Sequence, residues 1–199
     1  MPTPKPFYDY ADTRFSEIIK AMRNVYHGKI YATNFNKYGG LRLEPRPKYI
    51  DDVDTLILHL PLLNVREGAS ITEMRVAWSK ILDSIEVDFK DYKKPIYLAE
   101  NIGSYTGANS GKAGMEWGDF SEVAQAGYSR DWQGQADAIE ALMQSLVGRT
   151  RFAGIGPGAK FAWDDLLAPD YASPRNDLTS NIRNKPAEAV WKKWILPLK

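Results

Sequence analysis

The chain has 199 residues, and 26 Lys plus Arg nearly cancel 25 Asp plus Glu, leaving a formal charge of +1. That balance gives no footprint for nucleic acid or an anionic membrane, and no stretch approaches the ~20 apolar residues of a membrane span. Cysteine is absent and only His27 and His59 carry imidazoles, which excludes disulfides and thiol chemistry and leaves no His-rich metal site or cofactor motif to expect.

The start, Met1 to Phe7, lacks the apolar core of a signal peptide. The expectation is a single soluble domain over 1–199 with an extended, Pro-rich lead-in at 1–9. A helix is predicted from Asp12 to Tyr26, with Phe15, Ile18, Ile19, Met22, Val25 and Tyr26 on one apolar face. Lys29 to Asn34 reads as a short strand with a polar tip. Lys48 to Val53 has room for one helical turn. Thr55 to Leu60 is a nearly continuous apolar run stopped by Pro61, as a buried parallel strand would be.

Ser70-Ile71-Thr72-Glu73 is a capping box and predicts a helix through Tyr92, buried along Ile71, Met74, Trp78, Ile81, Leu82, Ile85 and Phe89. Pro95 to Glu100 is a third strand, closed by a carboxylate. A long Gly-rich loop over 101–128 follows, of a length that is often functional. A helix then starts at Ser129 or Asp131 and ends near Gly148. Gly158 to Trp163 is the predicted fourth strand, and Pro186 opens a closing helix. Strands alternating with helices predict an α/β fold with a parallel sheet. Four such strands make either an open sheet or half of a (β/α)8 barrel.

Several residues at strand tips have the chemistry of a site. Glu100, beside Asn101, is either one of the paired carboxylates of glycoside hydrolysis or a helix-capping acid. His59 and Asn34 either hydrogen-bond a polyhydroxylated ligand or satisfy strand ends. Trp163 either stacks on a sugar face or plugs the core. Asp164 is a polar contact candidate, and Tyr105 and Trp117 lie in the long loop that would shape a cleft. Gly154 to Lys160 fails as a phosphate loop, because Ala159 and Phe161 stand where Gly and Ser or Thr are needed.

The run Lys94-Pro95-Ile96-Tyr97-Leu98-Ala99-Glu100 resembles the seventh-strand motif of (β/α)8-barrel glycoside hydrolases, closest to the bacterial β-mannanase-like type. Val25 to Asn34 resembles their passage from fourth helix to fifth strand. Asp131 to Ala136, Phe161 to Asp164 and Lys185 to Glu188 are similar to the seventh helix, eighth strand and terminal helix. The resemblance implies a half-barrel, strands five to eight, with Glu100 as the nucleophile of a retaining enzyme. It implies that His59 positions Glu100 and that Trp163 lines a sugar subsite. The acid/base Glu of the fourth strand has no counterpart in this chain. The partners implied are an oligo- or polysaccharide and a second chain, or a second copy, that closes the barrel. A non-catalytic carbohydrate-binding or assembly module is the competing expectation.

Overall fold

Apolar runs of strand length and apolar stripes of helical period sort this chain into a sheet and a layer of helices. The computed structural model describes residues 5–34, 48–110, 127–157 and 180–195. The helices are α1 (Lys5–Val25), α2 (Ile71–Asp88), α3 (Trp132–Leu146) and α4 (Pro186–Ile195). The strands are β1 (Tyr31–Asn34), β2 (Thr55–His59), β3 (Ile96–Glu100) and β4 (Phe152–Pro157). A single 3₁₀ turn, Lys48–Asp51, stands before β2. All four strands are parallel, in the spatial order β1-β2-β3-β4. The fold is α/β, as the alternation predicted.

The pleat divides the sheet into two faces. Leu56, Leu58, Ile96 and Leu98 join Met74, Trp78, Leu82 and Ile85 of α2 and Ile139 and Leu142 of α3 in one core. The alternate residues are less covered: Tyr97 is 40% exposed and Tyr31 is 52% exposed. One face is therefore packed under helices, while the other is open along Tyr31 and Tyr97. Trp78 fixes the helix layer, its indole Nε1 donating to the Ala138 carbonyl of α3 at 3.1 Å.

The N-terminal edge of the sheet is held by cations on carbonyls. Lys94 donates to the carbonyls of Asp51 and Val53, and Arg151 to those of Phe89, Tyr92 and Lys94. Helix α2 begins as its capping box predicted. The Ser70 hydroxyl accepts from Glu73 N, the Glu73 carboxylate accepts from Ser70 N, and Arg66 adds a two-pronged ion pair to Glu73. Replacing Ser70 with Ala is expected to cost about 1 kcal/mol in urea unfolding.

Three expectations are corrected. The lead-in is helical from Lys5 rather than extended, because Pro6 falls in the first turn, where no intrahelical amide bond is lost. The apolar stripe of α1 is not buried as a unit. Ile19 packs with Ile30 and Val53, whereas Ile18, Met22 and Val25 stay exposed. The fourth strand is Phe152–Pro157, ahead of the stretch Gly158 to Trp163, which lies outside the described residues. Gly154 and Gly156 hide this strand from a pattern search. Gly154 has a packing reason: it pairs with Tyr97, and a Cβ there would fall 2.9 Å from the Tyr97 ring.

Candidate active site

The parallel register brings the C-terminal ends of β2, β3 and β4 side by side. His59 pairs with Ala99, and Glu100 pairs with Pro157. Glu100 is the last residue of β3 and is 1% exposed. Its Oε2 accepts a hydrogen bond from the Ile102 amide at 2.9 Å. Its Oε1 has no hydrogen-bond partner among the described residues. Burial pushes its pKa up to about 7 from the ordinary 4.5, against the lowering effect of the Ile102 amide. Burial thus favours the protonated carboxyl over the carboxylate at this position.

By strand alternation Glu100 belongs to the row of Ile96 and Leu98, the face that the helices cover. His59 is half-buried and belongs with Tyr97 and Ala99 on the opposite row. The two residues sit on neighbouring strand tips, but the pleat sends them to opposite faces. Asn34 ends β1, in register with Leu58. Asn101 is half-buried just beyond Glu100. Tyr105 is buried, with its ring 5.6 Å from that of Tyr128 and its segment bridged to Arg130. It packs the start of the long loop against the approach to α3. Trp117, Trp163 and Asp164 lie outside the described residues.

Two features escaped the sequence reading. Gln135 is fully buried in the first turns of α3. Its Nε2 donates to the Ile102 carbonyl at 2.8 Å and to the Ser180 carbonyl at 3.2 Å. Ile102 is thus held twice, its amide by Glu100 and its carbonyl by Gln135. The available signal was an amide on the core side of a helix, which must find partners when buried. The second feature is Lys185, buried ahead of α4, whose ammonium donates to the buried Ser104 hydroxyl at 3.0 Å. Together these bonds tie the segment after β3 and the segment before α4 around the end of Glu100. No group of three or more His, Cys, Asp or Glu side chains able to hold a metal ion occurs among the described residues.

No family model and no curated protein matches this sequence. Solved structures do. The complex structure of a GH113 β-1,4-mannanase superimposes with a TM-score of 0.63 at 19% identity, over 92% of this chain and 50% of that one. A second GH113 β-1,4-mannanase structure gives a TM-score of 0.63 at 18% identity, over 93% of this chain and 51% of that one. The chain spans about half the length of these enzymes. At this identity the likeness is one of fold. The four parallel strands and their helices match part of a TIM barrel.

Proposed function

We propose that this chain is the glycoside hydrolase-like half of a barrel, with Glu100 as the nucleophile of a retaining reaction on a β-mannoside. The observation that carries the reading is a carboxyl at the C-terminal end of a parallel strand, with Oε1 unpartnered among the described residues. Such a group destabilises a fold and is of the kind that active sites hold. The C-terminal end of barrel strands is where chemistry sits. The GH113 β-1,4-mannanase neighbours supply the class of sugar.

In this reading an ionised Glu100 oxygen attacks the anomeric carbon. The bond to the leaving oxygen breaks with its electron pair, and a glycosyl ester forms that water then cleaves. A retaining mechanism needs a second carboxyl ~5 Å away to protonate the leaving group and activate the water. That acid/base comes from the half of the barrel that completes this one. Asn34, Asn101, Trp117, Trp163 and Asp164 are the residues proposed to bind the sugar, whereas His59, on the row opposite Glu100, and Tyr105, buried against Tyr128, are set aside from that role.

A dinitrophenyl β-mannoside tests this, because its leaving group needs no proton. The 199-residue chain is expected to release up to one dinitrophenolate per chain and then stall, and Glu100→Gln to release none. The enclosure of Glu100 on the helix-covered face favours the second reading, a non-catalytic carbohydrate-binding or assembly module. Absence of any burst, or an equal burst from Glu100→Gln, would establish it over the first.

A further inference from the structure

The Glu100 carboxyl takes its aim from one bond among the described residues, that of the Ile102 amide to Oε2 at 2.9 Å. Where Oε2 points therefore depends on where the Ile102 N–H points. Ile102 lies beyond the end of β3, outside the strand ladder, so the sheet does not fix that amide.

Two other holds do. The Ile102 side chain is buried in the core that α2 and α3 share, which fixes the Cα–Cβ direction. The Ile102 carbonyl accepts from Gln135 Nε2 at 2.8 Å, which fixes the Cα–C direction. At a tetrahedral Cα, two fixed bonds set the third, here the bond to the amide nitrogen. Neither hold suffices alone, since the residue can turn about a single fixed bond.

Gln135 is a firm support. Its side chain is fully buried, and the same Nε2 also donates to the Ser180 carbonyl at 3.2 Å. Both protons of a side-chain amide are thus engaged, which leaves little freedom to rotate. Gln135 stands just inside the start of α3, where Asp131 caps the helix by accepting from Gly134 N at 2.9 Å. Ser104, two residues past Ile102, is held separately: its carbonyl accepts from the Asp131 amide at 2.8 Å and its hydroxyl from Lys185 Nζ at 3.0 Å. Removing the Gln135 donor therefore frees the Ile102 carbonyl while the segment stays pinned at Ser104.

We infer that Gln135 is a positioning residue for Glu100: it holds Ile102 so that the Ile102 amide aims the carboxyl. The kinetic consequence rests on the nucleophile reading above. A second, spectroscopic consequence does not, so the two can fail separately.

The dinitrophenyl β-mannoside burst is compared between the 199-residue chain and its Gln135→Leu and Gln135→Met variants. Both replacements keep bulk without a donor, so a poor fold in one leaves the other to test. The burst rate constant is expected to fall about tenfold or more with its amplitude kept. Ser70→Ala, which destabilises at the α2 cap, is expected to leave the rate constant unchanged. The second readout is the Ile102 amide proton shift, followed by NMR as Glu100 titrates. Its swing reports the charge-assisted bond to Oε2 and is expected to shrink to about half or less in both Gln135 variants, and to stay whole in Ser70→Ala. A wild-type chain without a burst would sink the nucleophile reading and leave the amide signal to decide alone. An undiminished swing, or a burst as fast in both Gln135 variants as in the wild type, would overturn the role of Gln135.

Discussion

Replacing Glu100 with Gln is expected to make the protein more stable than wild type above neutral pH, by about 3 kcal/mol relative to the difference at about pH 4. The sign follows from the pKa, raised from 4.5 to about 7 by burial. Below 4.5 the carboxyl is neutral in folded and unfolded chains alike. Between 4.5 and about 7 the unfolded chain releases its proton while the folded chain keeps it, so stability falls as pH rises. Above that range both are ionised and the loss is complete. Gln has no such proton, so the double difference between the two proteins and the two pH values isolates this one group. Urea unfolding at about pH 4 and about pH 8 measures it. Parallel pH profiles would mean that Glu100 is solvated. The same titration bears on the proposed chemistry: Glu100, as the proposed nucleophile, gains its charge only as pH passes about 7, so the proposed burst should rise through that range.

The second large effect is expected at Gln135. Gln135→Leu keeps the side chain's bulk but removes the donor to the buried carbonyl of Ile102 and the half-buried carbonyl of Ser180. Each carbonyl left unpaired in the interior costs about 1 to 3 kcal/mol. The half-buried Ser180 carbonyl loses less, and the substitution also removes the buried, unpartnered Gln135 Oε1, so the variant is expected to lose about 1 to 3 kcal/mol in all. It should also show faster amide exchange over 101–104 and 180–185, the two segments that Gln135 joins. Gln135→Glu should be no better, because an ionised carboxylate cannot donate. An unfolding curve unchanged by the Leu substitution would show that the clamp carries no energy.

The parts of the fold legible in the sequence were those fixed locally. The Ser70-to-Glu73 box set the start of α2, Asp131 caps α3 through Gly134 N, and the Leu56–Leu58 and Ile96–Leu98 runs marked buried strands. The parts not legible depend on what lies across space. β4 carries two glycines, and one of them makes sense only beside Tyr97. The α1 stripe is apolar, but no periodicity says whether a partner is present to bury it. At the site, resemblance singled out Glu100. Its enclosure, the opposite rows taken by Glu100 and His59, and the Gln135 clamp on Ile102 come from the pleat and from α3 packing behind β3.

The most direct test of the nucleophile is a mass map after incubation with a 2-deoxy-2-fluoro-β-mannosyl donor that carries a good leaving group. The fluorine slows breakdown of the glycosyl ester, so the adduct accumulates on the attacking oxygen. A single fluoro-mannosyl mass increment on the peptide containing Glu100, absent in Glu100→Gln, is the expected result. An unmodified Glu100 peptide, or an adduct on another residue, would contradict it.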